Sequence, residues 1–145
     1  MTALRAITGS ISILAFLACS PTCYSQGVLT QIHNTGPRGN RINLVILAEG
    51  YTSAQSSQFL ANAQNIMAQY FLTNYGSEYS GYFNVFALFV ASVESGSDHP
   101  SQAIFRNTYF NSTYESFGIP HLLTIPDSPT GVGKVIALLA ACSRI

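Results

Sequence analysis

Charged side chains are scarce in this chain: six basic and six acidic residues amount to 8% of 145 and leave no net charge. No Lys/Arg run exists, so the basic footprint that nucleic acid or an anionic membrane surface requires is missing, and neither is an expected partner. Cysteine is scarcer still. Of three, Cys19 and Cys23 fall in an amino-terminal segment that reads as an export signal, which leaves Cys142 alone and excludes a disulfide framework. No apolar stretch reaches the ~20 residues of a membrane-spanning helix. Nor does any of the three histidines, His33, His99 and His121, open the His-Glu-x-x-His pattern that places two zinc ligands and a glutamate base on one helix.

What the chain has is apolar content, 48%, enough for the core of one domain of ordinary size. Its first residues are a different kind of sequence. Arg5 precedes an apolar run from Ile7 to Ala18, diluted by Thr8, Gly9, Ser10 and Ser12, and small or polar residues continue to Ser25, as in a secretory signal peptide cleaved before Gln26. The alternative is Phe16-Leu17-Ala18-Cys19 as a lipoprotein box with Cys19 lipidated, although Phe16 stands where Leu is usual. The expected location is therefore secreted or periplasmic, with residues 1–25 as signal, 26–40 as a turn-rich linker or lead-in strand, and 41–145 as the domain.

Ile42 to Ala48 is a short run of branched apolar residues, as expected for a strand buried on both faces. Thr52-Ser53-Ala54-Gln55 then matches a capping box and predicts a helix from about Ser53. Phe59, Leu60, Ala63, Ile66, Met67, Tyr70 and Phe71 recur at helical spacing, and Asn74-Tyr75-Gly76 supplies the stop. Phe83 to Val93 is a second apolar strand, emptying into Glu94-Ser95-Gly96-Ser97-Asp98-His99-Pro100. A crossover helix makes the two strands parallel, so Glu49 and Glu94 should share one sheet edge. Beyond lie an irregular aromatic excursion (102–117), a candidate edge strand (119–125) and a helix over Lys134–Ala141, apolar on nearly every face. These elements predict an α/β fold with a mostly parallel sheet. The last helix lacks a stop signal and the strands are few, for which truncation of the chain and burial in an oligomer are the two physical explanations.

Ligands of α/β folds sit at the carboxyl ends of strands, which makes Glu49, Gly50, Tyr51, Ser95, Ser97, Asp98 and His99 the candidate cleft-lining residues. A carboxylate and an imidazole suit metal binding or proton transfer. Adjacent side chains seldom converge on one ion, however, and the stronger reading of 94–100 is a loop whose Ser and Asp cap backbone amides. For Glu49-Gly50-Tyr51 a plain strand-to-helix turn is an equal alternative. A Ser97/Asp98/His99 triad is disfavoured because successive side chains diverge. Gly131-Val132-Gly133-Lys134 fails as a phosphate loop, with Ser128 and Val135 in place of its glycine and hydroxyl. Asn111-Ser112-Thr113 is a formal glycosylation acceptor.

Three ordered blocks, Arg41–Thr52, Glu78-Tyr79 before Tyr82–Phe86, and Val93–Pro100, together resemble the IgA-specific zinc metallopeptidase family over about Arg41 to Lys134. The resemblance implies an exported peptidase acting on a protein or peptide, with a zincin-like three-layer sandwich of which this chain holds the amino-terminal part. It also implies zinc in a full-length member, bound by a motif downstream of these blocks; no cofactor, metal ligand or catalytic residue is assigned within this chain. The expected function is thus a zinc-metallopeptidase-like protein, inactive alone. The rival is a small exported module that binds protein or glycan through Tyr75, Tyr79, Tyr82, Tyr109 and Tyr114.

Overall fold

The computed structural model describes residues 27–69 and 77–142. The segment read as an export signal, with Cys19 and Cys23, the expected helix stop at Asn74-Tyr75-Gly76, and Tyr70, Phe71 and Tyr75 lie outside the described residues. Three strands, β1 (Val28–His33), β2 (Ile42–Leu47) and β3 (Phe83–Phe89), form one sheet in the order β1-β3-β2.

The central strand is the one whose sequence is least polar. Val85, Phe86, Ala87 and Leu88 are all buried, which a strand covered on both faces requires. Successive side chains face opposite ways, so Ala87 and Leu88 serve two different cores. Ala87 joins Ala48 with Phe59 and Ala63 of α1 (Ser56–Met67), while Leu88 joins Val90, Phe110 and Leu138 of α2 (Val132–Cys142). One helix therefore packs on each side. Small alanines on the α1 side admit the Phe59 ring, which meets Tyr51 edge-on at 5.4 Å and Phe89 at 5.8 Å.

β2 and β3 pair in parallel, with Leu47 opposite Leu88, as the crossover helix demands. The sheet is nonetheless mixed rather than mostly parallel, because β1 runs antiparallel to β3, with Val28 opposite Phe89. No crossover helix separates β1 from β2. The short link at 34–41 turns the chain back across the start of β3, and a return of that length reverses direction. Asn84, fully buried in β3, holds this link: its amide oxygen accepts the Thr35 amide at 2.9 Å, and its Nδ2 donates to the Gly36 carbonyl at 3.0 Å and to Asn43 Oδ1 at 3.3 Å.

The helix boundaries follow from local chemistry. Gln55 Oε1 accepts the Thr52 amide at 2.9 Å, one half of the capping box. The other half is made as well, the Thr52 side chain taking the Gln55 amide, which also reaches the Thr52 carbonyl at 2.9 Å. A 3-10 turn at Ser53–Gln55 results, and α1 proper starts at Ser56. α2 begins two residues earlier than its apolar run, at Val132. Leu138 is its one buried residue, and Ile136 is 62% exposed. β3 ends at Phe89 rather than Val93, and the candidate edge strand is reduced to a bridge between Thr113 and Thr124. Among the described residues no helix is long and apolar enough to cross a membrane.

Candidate functional site

Parallel pairing brings the ends of β2 and β3 to one edge, and three short segments interlock there: 49–51, 92–98 and 106–113. Gly50, at φ +70°, is the tightest point. Its amide donates to Ser92 Oγ at 3.2 Å and its carbonyl accepts the Gly96 amide at 2.9 Å; the Ser92 amide in turn reaches the Tyr51 carbonyl at 2.7 Å. A side chain at Gly50 would place its Cβ 2.2 Å from the Gly96 carbonyl oxygen. The two strand-end loops touch backbone to backbone.

Glu49 ties this pair to the third segment. One carboxylate oxygen accepts the Thr108 hydroxyl at 2.5 Å and the Ser112 amide at 3.1 Å, and the other accepts the Phe110 amide at 3.0 Å. Ser92 Oγ also takes the Tyr109 amide, and Ser97 and Ser112 share a hydroxyl bond of 2.6 Å. Further out, Asp98 Oδ1 accepts the Arg106 amide and Glu94 Oε2 the Asn107 amide, each at 2.6 Å. Lys134, at the start of α2, donates to the Tyr109 carbonyl and lies 4.7 Å from the centre of its ring. Each carboxylate at this edge thus holds backbone donors of the 106–113 segment. That segment and the residues flanking it carry four non-glycine residues at positive φ, Ala103, Asn111, Glu115 and Phe117, a strained path that the bonds over-determine.

Of the sequence-predicted residues, Glu49, Gly50, Ser97 and Asp98 come together through the 106–113 segment. Tyr51 turns away, its hydroxyl accepting Asn62 Nδ2 of α1 at 2.9 Å, and Ser95 is exposed. His99 faces outward of the group: its ring stacks on Tyr114 at 4.4 Å, and Nδ1 lies 3.7 Å from Glu115 Oε1. Ser97 bonds Ser112 rather than His99, so no triad exists. Sequence reasoning missed Ser92, Thr108, Ser112 and Glu115, which do as much to shape the edge as the residues it named. The available signal was the polar content of an aperiodic stretch beyond a strand end.

Ser101 donates to Glu115 through both its amide and its hydroxyl, each at 2.7 Å. The Ser101 hydroxyl, then its amide, and then the charge of a protonated His99 hold the Glu115 carboxyl below its ordinary value of 4.5. A depressed folded-state pKa contributes stability that is fully present above 4.5 and is lost as pH falls through the folded value. Carboxyl-carbon NMR titration should therefore find Glu115 still ionised at pH 4.5, and Ser101→Ala should raise its midpoint. An unshifted midpoint in Ser101→Ala would show that the hydroxyl does not act on the carboxylate.

Zinc does not fit these residues. Among the described residues no three His, Cys, Asp or Glu side chains group as metal ligands, and Glu49, Glu94 and Asp98 already accept backbone amides along the directions a cation would use. These three carboxylates are engaged as braces of the edge. Comparison with known proteins gives one family: the model of the family described as IgA Peptidase M64 matches residues 30–133. No curated protein matches the chain.

Proposed function

Because this chain belongs to the IgA peptidase M64 family, we propose that it is an exported, zinc-metallopeptidase-like protein in which 49–51 and 95–99 form one wall of a peptide cleft. The observation that carries this reading is the mutual bracing of those loops at the carboxyl ends of the parallel strands. A cleft wall must hold its shape while a flexible peptide is ordered against it, and backbone-to-backbone contacts at Gly50 and Gly96 supply that rigidity. The wall belongs to a zincin-like sandwich in this proposal. Its own carboxylates take no part in hydrolysis: metal and proton acceptor come from residues other than these, and the 145-residue chain alone does not cleave peptides.

Purified chain should carry no stoichiometric zinc, show no peptidase activity, and begin at Gln26 when recovered from outside the cytoplasm. A casein-derived peptide mixture at millimolar concentration should shift the amide resonances of Ser95, Gly96 and Tyr51. Stoichiometric zinc together with proteolysis would sink the inactive-chain reading; a Cys19 amino terminus bearing lipid would replace cleavage before Gln26 with the anchored form. Tyr79 and Tyr82, 59% and 63% exposed, favour the rival binding-module reading. Tyr109 and Tyr114 are half-buried against Phe110 and His99 and do not extend that surface. Peptide-induced shifts at Tyr79 and Tyr82, with Ser95 and Gly96 unmoved, would favour the module.

A further inference from the structure

On the α2 side of the sheet, away from the strand-end loops, lies a groove of about 490 Å³ floored by Leu29, Val45 and Phe86 and closed on one side by Leu139. Its size and apolar lining are those of a small-molecule site. What sets it apart is the cation at its rim. The Arg38 guanidinium sits 4.5 Å over the centre of the Phe86 ring, which orients it by its face while leaving its N–H edge unengaged. Among the described residues Arg38 has no acidic partner, and its side chain donates no hydrogen bond. The Arg38 backbone is held in turn: Asn43 Nδ2 donates to its carbonyl at 3.0 Å, and the Arg41 amide reaches the same oxygen.

We propose that this groove binds a carboxylate-terminated aliphatic chain, with the carboxylate on Arg38 and the methylenes along Leu29, Val45, Phe86 and Leu139. The two halves of the site call for different chemistry. An apolar floor rewards hydrocarbon in proportion to length, whereas a five-donor planar cation selects a carboxylate over a hydroxyl. A ligand with both is amphipathic in the same sense as the groove. The site is separate from the peptidase reading and stands or falls independently of it.

The test titrates the full chain with sodium decanoate, below the concentration at which it forms micelles, and follows the methyl resonances of Leu29, Val45 and Leu139. Saturable shifts should be confined to these groups, which separates the groove from the apolar export segment. From hexanoate to decanoate, Kd should fall about fourfold per methylene. Decanol should bind at least tenfold more weakly than decanoate, on the order expected for losing a charge-assisted bond. Arg38→Gln, an exposed substitution that leaves no buried group unpaired, should erase the preference for decanoate over decanol, and Arg38→Lys should keep it. Absence of saturable shifts at the three methyls, equal binding of decanoate by wild type and Arg38→Gln, or no dependence on chain length would each overturn the proposal.

Discussion

Gly50→Ala should cost about 4 kcal/mol of folding stability, a large share of the 5–15 kcal/mol of an ordinary domain. Two effects add. At φ +70° an L-residue carries a left-handed penalty of about 1 kcal/mol, which alone would be tolerable. The second is steric and larger: the new Cβ would lie 2.2 Å from the Gly96 carbonyl oxygen and about 3 Å from two further Gly96 backbone atoms. Because backbone has no rotamer to change, the 49–51 and 94–98 loops must separate. Separation breaks the Gly96-to-Gly50 amide bond and disturbs the Ser92 pair beside it. Gly96→Ala is the control. It too sits at positive φ, +98°, but its Cβ would meet nothing within 4 Å, so only the conformational cost of about 1–2 kcal/mol applies. Urea unfolding followed by near-UV circular dichroism reads both, with unchanged m values as the sign that only stability moved. Equal losses for the two variants would mean that the close approach at Gly50 is not tight.

That contact also marks where sequence reading succeeds and where it stops. β3 and α1 were legible because burial leaves traces, a continuous apolar run for a strand covered on both faces and Phe59, Ala63 and Met67 four apart on the buried side of a helix. β2 was legible as a strand, but it lies at the sheet edge with Ile42 60% exposed rather than buried on both faces. Gly50 was legible as a turn at a strand end. Its partner Gly96 was not, since a glycine-to-glycine contact between two loops has no spacing rule. β1 was legible only as one alternative, a lead-in strand within 26–40, because Val28, Leu29 and Ile32 do not alternate cleanly, and its antiparallel course depends on the link that Asn84 pins. The stronger reading of the Asp98-His99 loop, a carboxylate capping a backbone amide, fits the Asp98 bond to the Arg106 amide, but the partners of Asp98 and His99 followed no spacing rule either. Their bonds run to Arg106, Tyr114 and Glu115, residues of an excursion whose path is set by side chain-to-backbone contacts rather than by hydrophobic period.

Glu49→Ala should be nearly as damaging as Gly50→Ala, about 3 kcal/mol, by a different route. The carboxylate accepts three donors from a segment 59 to 63 residues away. Hydrogen bonds to a charged group contribute about 1.5–3 kcal/mol each in isolation, but these share one acceptor in a half-buried site, so the sum is not additive. What decides the outcome is the two backbone amides left behind. Phe110 is 2% exposed and Ser112 1%; neither amide can reach solvent without the segment moving, and Phe110 leaving its place would open the core it shares with Leu88 and Leu138. Glu49→Gln separates geometry from charge: its oxygen can still serve Thr108 and Ser112, but its NH₂ group then faces the Phe110 amide, donor against donor, for a loss of about 2 kcal/mol. Hydrogen exchange supplies the decisive readout. In Glu49→Ala the amides of Phe110 and Ser112 should lose protection ahead of those in β3, because the segment detaches before the sheet opens. A catalytic glutamate would behave otherwise, leaving exchange and stability almost untouched when replaced by glutamine. Full protection at Phe110 and Ser112 in Glu49→Gln would therefore remove Glu49 from the bracing of the wall.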